Sequence, residues 1–212
     1  MEEELRYYYG FDKYEKLIKK LKEFNELKYE GCFYEITTQY DHPMQEYSFY
    51  NKEIDGRFRV RCSKNMDTQE SKSKISWKRR TKDTLSGIVN KEEEVELDFK
   101  FEELDNLIFL LENVIKMKNI ESYERYRNVF SNEDIEIVVD KYPFGVALEI
   151  ENKSKTKTLE ETVLYWTKKL ELRPEDAYRL SWDDKYTELC KQQNVEIFKH
   201  VKFGISMPQV VE

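Results

Sequence analysis

Residues Tyr123 to Lys153 read YERYRNVFSNEDIEIVVDKYPFGVALEIENK. The run divides into three consecutive strands. Side chains two apart on a strand point to the same face. Arg125 and Arg127 therefore share one face of the first strand. Asp140 lies on the second, with Ile137 and Val139 opposite, and Glu149 and Glu151 lie on the third, with Leu148 and Ile150 opposite. One face of this meander gathers guanidiniums and carboxylates, and the other is aliphatic. Which face meets water decides the fold.

The same alternation recurs outward from this stretch. Glu2 to Tyr8 places Glu2, Glu4 and Arg6 on one side and Glu3 and Leu5 on the other. After the hairpin signal Asp55-Gly56, Arg57, Arg59 and Arg61 alternate with Phe58, Val60 and Cys62. Lys74, Ser76 and Lys78 oppose Ile75 and Trp77, and Glu92, Glu94 and Glu96 oppose Val95 and Leu97. Gly31 opens a further strand-like run, CFYEITTQY, ending in the turn Asp41-His42-Pro43, and Glu46 to Asn51 reads as a short strand. Helical spacing of apolar residues predicts helices over Phe11 to Leu27, Phe101 to Met117 and Leu159 to Leu170. Ser181, with Asp184 three residues on, predicts the capped start of a fourth helix through Gln193. The tail from Phe198 to Glu212 reads as extended. No long linker or repeat divides the chain, so residues 1–195 are expected to form one domain, followed by a C-terminal tail over 196–212.

Composition narrows the class. The chain has 212 residues, 37% of them charged, and 14% aromatic, too aromatic for disorder. The mean hydropathy is −0.84 and the net charge −7, which argue for a soluble protein with no general affinity for nucleic acid or anionic membranes. Cys32, Cys62 and Cys190 form no CxxC pair, which speaks against a disulfide framework or a zinc site. His42 and His200 are far apart, which disfavours a Ser/His or Cys/His nucleophile pair. The acidic start MEEELRYYY is unlike a signal peptide, and no run reaches the length of a membrane span. A cytoplasmic monomer or homodimer is expected.

On one strand, a charged face is most simply a solvated one. Taken together the strands argue otherwise. Most carry mainly one sign of charge on the shared face, where a solubilising face mixes signs. Four helices are available to cover the apolar faces from outside. The expected architecture is therefore α+β: a closed eight-stranded antiparallel barrel with a charged lumen, flanked by helices. Buried charges must pair, hold water or meet a charged ligand. Arginine and lysine bind phosphate oxygens, and clustered carboxylates bind hard divalent cations that bridge phosphates. The ligand indicated is a metal-bound polyphosphate.

These motifs, in this order, resemble the CYTH family, the triphosphate tunnel metalloenzymes, which includes class IV adenylyl cyclases, thiamine triphosphatases and inorganic triphosphatases. The family's E-x-E-x-K signature is matched by Glu2-Glu3-Glu4-Leu5-Arg6, its R-x-R by Arg59-Val60-Arg61, and its basic strand by ISWK ending at Lys78. Its E-x-E is matched by Glu94-Val95-Glu96, its K-x-R by Arg125-Tyr126-Arg127, and its Asp, Gly turn and E-I-E by Asp140, Gly145 and Glu149-Ile150-Glu151. Arg6 and Arg125 stand where the family has lysine, and Glu92 where it often has a basic residue. The resemblance spans residues 2 to about 153, and SWDDKYTELC resembles the helix that often closes these domains.

The resemblance implies a tunnel in which Arg6, Arg59, Arg61, Lys74, Lys78, Arg125 and Arg127 hold a triphosphate. Magnesium or manganese would be held by Glu2, Glu4, Glu149 and Glu151, helped by Glu94, Glu96 or Asp140. The leading expectation is metal-dependent triphosphate hydrolysis, with Glu4 or Glu96 orienting the attacking water. The alternatives are cyclisation of ATP to cyclic AMP, or binding of a nucleotide or polyphosphate without catalysis. The identity of the organic part of the substrate, whether adenosine, thiamine, RNA or none, is left open.

Overall fold

The computed structural model of the chain describes residues 2–80 and 90–211; the connection containing Gly87 and the side chain of Glu2 fall outside that description. Eight antiparallel strands form one curled sheet: β1 (Glu2–Tyr9), β2 (Lys28–Asp41), β3 (Gly56–Asn65), β4 (Ser71–Arg80), β5 (Asn90–Phe99), β6 (Lys118–Ser131), β7 (Ile135–Tyr142) and β8 (Gly145–Asn152). Their order is β2-β3-β4-β5-β1-β8-β7-β6, and the sheet curls far enough for β2 to pair with β6 as well.

Closure is partial, which corrects the expectation of a fully closed barrel. Among the described residues β1 joins β5 through three residue pairs, from Glu2 with Glu92 to Glu4 with Asn90. From Glu93 to Phe99, β5 pairs with β4 alone. The physical reason is register: β1 starts at Glu2, opposite Glu92, so β5 from Glu94 to Phe99 runs past it. Farther along β1, the Arg6 carbonyl accepts the Tyr178 N–H at 2.7 Å.

The apolar faces point outward and are covered by helices. α1 (Tyr14–Lys22), entered by a 3-10 turn, and α3 (Tyr165–Lys169), entered by a π turn, lie over β1, β7 and β8. Leu5, Ile137, Val139, Leu148 and Ile150 are buried there with Ile18, Leu21, Val163 and Trp166. Each such aliphatic side chain contributes roughly 1.5–3 kcal/mol by leaving water. α2 (Leu104–Phe109), which widens into a π turn, packs Leu104, Leu107 and Leu111 with Val60, Phe58, Ile75 and Phe99. On β5 the outer residues Val95 and Leu97 stay exposed.

α4 (Trp182–Gln193) packs on the opposite, inner side of the sheet. Its Trp182, Tyr186 and Leu189 lie on Tyr123, Tyr142 and Ala147, which share the faces of Arg125, Asp140 and Glu149. α4 therefore plugs one end of the curl. Its predicted cap is present, with the Asp184 carboxylate accepting the Ser181 N–H at 3.1 Å. Asn194 ends the helix in the left-handed conformation.

Two local expectations change. Residues 46–51 form turns rather than a strand, because Asp41 gathers them: its carboxylate accepts from the Ser48 hydroxyl at 2.7 Å and the Phe49 N–H at 3.0 Å. The tail is not extended throughout. It contributes the short parallel β9 (His200–Val201) beside β6, and Val210 N–H donates to the Phe144 carbonyl at 2.9 Å. The three cysteines are unpaired. Among the described residues no helix is long and apolar enough to cross a membrane.

Gly56 makes the β3–β4 packing sensitive to one atom. A Cβ there would lie 2.2 Å from the Trp77 ring, which itself stands edge-on to Phe49 at 4.8 Å. Gly56→Ala is expected to cost about 1–3 kcal/mol through overpacking, read as a fall of several degrees in Tm by thermal denaturation. An unchanged Tm would show that Trp77 is not fixed by this contact.

Candidate functional site

The inner face of the curl is a cavity whose wall, among the described residues, carries Arg6, Arg57, Arg59, Arg61, Lys78, Arg125 and Arg127 with Glu4, Glu149 and Glu151. The buried carboxylates of Glu35 and Asp140 stand behind the arginines of that wall. Strand alternation produces it. Arg57, Arg59 and Arg61 point inward from β3 while Phe58 and Val60 join the outer core. Glu4 and Arg6 do so from β1 while Leu5 and Tyr7 face out.

Cross-strand register then sets the pairs. Arg6 stands opposite Glu149 and Glu4 opposite Glu151. Arg6 Nε donates to Glu149 at 2.6 Å, and another of its nitrogens to Glu4 at 2.8 Å. Arg127 grips Asp140 with two hydrogen bonds of 2.7 and 2.6 Å and reaches Glu149 at 2.9 Å. Arg125 bonds Asp140 at 2.9 Å, Glu35 at 2.7 Å and the Tyr142 hydroxyl at 3.1 Å. Burial alone would raise the Glu35 carboxyl. The guanidiniums of Arg125, Arg61 and Arg127 outweigh burial and hold it well below the usual range. Glu149 is held down in the same way by Arg6, Arg127 and Arg125.

The β3 wall is different. Arg59 makes one hydrogen bond, to Gln39 at 3.4 Å, and among the described residues no ion pair. Arg61 donates to Thr37 at 3.1 Å and Tyr123 at 3.5 Å, with its nearest carboxylate, Glu35, at 3.8 Å. Two guanidiniums thus face the cavity on mainly neutral partners, where a phosphate oxygen would be the stronger acceptor.

The remaining candidates fall elsewhere. Lys74 pairs with Glu96 at 2.7 Å and Lys78 with Glu94 at 3.1 Å between β4 and β5; of these four only Lys78 lines the cavity. Asp140 has no exposed surface and both its oxygens are engaged by arginines, so it is a strut behind the wall. Glu4, Glu149 and Glu151 are hard oxygen donors of the type magnesium and manganese take. Glu4 and Glu149 are each tied to a guanidinium, and Glu151 to Lys153 at 2.6 Å. The described residues contain no group of three or more ligand side chains gathered closely enough for a metal centre. The donor chemistry of these carboxylates is of the kind a divalent cation takes, and in this arrangement Glu4 and Glu149 are held by arginines.

Sequence reasoning missed several lumen groups. Glu35 and Gln39 are buried in it, Arg57 lines it with Tyr123, Tyr142 and Trp182, and Glu121 and Asp183 meet at its α4 end. Burial, and then the Asp183 carboxylate, push Glu121 up to about 7. A signal existed for some: Tyr123 shares the parity of Arg125 and Arg127, and Arg57 that of Arg59 and Arg61. Glu35, Thr37 and Gln39 also alternate, but a series with one charge reads weakly.

No protein-family model and no curated protein sequence matches the chain. Solved structures do. A Pyrococcus horikoshii protein superposes with a TM-score of 0.61 at 18% identity, covering 86% of this chain and 97% of its own. A candidate adenylate cyclase of Vibrio parahaemolyticus gives 0.58 at 15% identity, covering 86% and 95%. A candidate adenylyl cyclase of Hippeastrum, described as having a dominant triphosphatase activity, gives 0.58 at 14% identity, covering 93% and 98%. At such identities the likeness establishes architecture alone: the chain has the fold that these candidate adenylate cyclases share.

Proposed function

We propose that the chain is a divalent-metal-dependent hydrolase of triphosphates bound in the lumen. The observation that carries this reading is the β3 wall, where Arg59 faces the cavity with no ion pair among the described residues and Arg61 reaches Glu35 only at 3.8 Å. The likeness to a protein described as a triphosphatase supports it.

Arg59 and Arg61, with Arg6, Arg125, Arg127 and Lys78 around them, clamp the phosphate oxygens and stabilise the charge of the transition state. The free volume of the lumen is about 60 Å³, room for a few waters. A triphosphate therefore enters by taking guanidiniums from their carboxylate partners. Arg6 and Arg127 turning to the phosphate would loosen their hold on Glu4 and Glu149, and Glu4, Glu149 and Glu151, with Glu2 of the same motif, are the residues that would hold magnesium or manganese. Such an ion, when bound, neutralises phosphate oxygens and polarises phosphorus. Glu4 rather than Glu96 is assigned to orient the attacking water, because Glu4 lines the cavity and Glu96 does not.

Three measurements test this. Tripolyphosphate should be hydrolysed with magnesium or manganese and not in excess chelator; full turnover in chelator would remove the metal role. Arg59→Met should lower kcat/KM by about 10²–10³-fold with little change in Tm, since Arg59 makes no ion pair among the described residues. Loss of Tm in step with activity would make it a structural residue. The candidate cyclases among the structural neighbours favour one alternative, so ATP products decide: cyclic AMP would replace hydrolysis by cyclisation.

Stability should depend on pH through Glu121. Its folded value, about 7, lies above the unfolded carboxyl value, so the native state binds the extra proton between roughly 4.3 and 7. That stability is present below the unfolded value and lost as pH rises through 7. Glu121→Gln should stabilise the fold at pH 8 by on the order of 2–3 kcal/mol, read as a higher Tm, and change it little at pH 5. Equal effects at both pH values would show that Glu121 is ionised in the fold throughout.

A further inference from the structure

α2 and the π turn that continues it, Leu110–Val114, turn one face to the sheet and the other to solvent. A solvated helix face is normally charged. That holds on α1, where the exposed positions are Glu15, Lys16, Lys19 and Lys22. It fails on α2. Phe109 is 58% exposed, Leu110 49%, Val114 60% and Ile115, just past the turn, 54%. The four are contiguous. Phe109 and Leu110 are consecutive, and the Ile115 N–H donates to the Leu110 carbonyl at 2.9 Å, which sets Val114 and Ile115 one wide turn along from Leu110. The same turn carries Val114 outward. Three residues after Leu111, an α-helix would return it toward the core stripe of Leu104, Leu107 and Leu111. Each residue of a π turn rotates the chain less, so Val114 stops short of that stripe. Contiguous exposed apolar surface of this kind marks a place where something docks.

Charge is divided along this face. Glu102, Glu103 and Asp105 stand at its start and Lys116 and Lys118 just past its end. All five are exposed, and none is in an ion pair among the described residues. Leu110 lies midway between Glu102 and Lys118 in the chain. A second such face laid antiparallel on the first, about a two-fold axis at Leu110, brings the acids of each copy to the lysines of the other. The apolar side chains of both then meet in the middle. Laid parallel, acids would meet acids and lysines would meet lysines, which is repulsive. The face is thus complementary to itself in one orientation, the isologous one.

We propose that the outer face of α2 and its π turn is a dimer interface, and that its occupant is a second copy of this chain packed antiparallel on it. Phe109, Leu110, Val114 and Ile115 form the centre, and the acidic and basic ends form the rim that sets orientation. The lumen takes no part. α2 packs with Phe58 and Val60 on the outer face of β3, opposite the face that carries Arg59 and Arg61. The dimer therefore stands apart from the triphosphate reading. A single pair of helices lies at the small end of specific interfaces, which bury about 1,200–2,000 Å² in all. The dimer is accordingly a reversible one, with a Kd on the order of 10 µM.

Sedimentation equilibrium of the full chain, over concentrations that bracket this Kd, is the test. The mass should rise from 25.9 kDa and level at twice that value. Leu110→Lys with Val114→Lys should keep the Tm of the parent, because both side chains already meet water. It should weaken association by about 100-fold or more, since each change enters an isologous interface twice. Glu102→Lys with Glu103→Lys should weaken association about 10-fold. Adding Lys116→Glu with Lys118→Glu to that chain should restore it, because both ends are then reversed together. A mass of one chain at every concentration overturns the proposal and leaves the face to a different partner. Dimerisation untouched by the lysines at 110 and 114, or association that climbs past two copies without levelling, overturns it as well. Failure of the fourfold reversal to restore the dimer overturns the antiparallel arrangement.

Discussion

Asp140, shut off from water between Arg125 and Arg127, is the contact on which the interior depends. Removing one partner of such a buried pair costs about 3–5 kcal/mol, because the survivor keeps its desolvation penalty. Here the loss would spread. Arg125 also holds Glu35 on β2, and Arg127 holds Glu149 on β8, which in turn holds Arg6 on β1. One chain of charge-assisted bonds therefore crosses five strands. The aliphatic outer layer asks only that the sheet be covered by helices. The ionic inner layer asks that particular strands stand opposite one another, and so specifies register as well as burial.

The two walls of the lumen do different things because their partners differ. On β1 and β8 every lumen carboxylate is matched to a cation. On β3, Arg59 and Arg61 make their hydrogen bonds to an amide and hydroxyls, and Arg61 reaches the Glu35 carboxylate only at 3.8 Å. An anion gains more at the second wall, where it displaces weak partners, than at the first, where it must compete with carboxylates.

Much of this was legible in the sequence because charge and alternation coincided. Arg59 and Arg61, Arg125 and Arg127, and Glu149 and Glu151 each repeat at two with bulky neighbours between, and all six line the same cavity. What was illegible has a physical cause in each case. Glu35 sits in a run of neutral polar residues, so its face carries one charge and no pattern. Residues 46–51 have strand-forming composition, but Asp41 captures their backbone donors, a contact outside any local window. The incomplete join came from the register of β1 on β5, which leaves β5 from Glu94 onward beyond the start of β1 and which no single strand's alternation reports. The parity of Asp140 gives its face correctly, yet only three-dimensional packing shows that both oxygens are spent on arginines.

The overhang of β5 past β1 has a mechanical meaning. From Glu94 to Phe99, β5 pairs with β4 on one edge, while β2 and β6 are zipped together along nearly their whole lengths. Backbone bonded on one side opens at lower cost than backbone bonded on both. That end of β5 is therefore the stave most easily sprung from the cask, while Asp140 and its arginines keep the staves opposite in place.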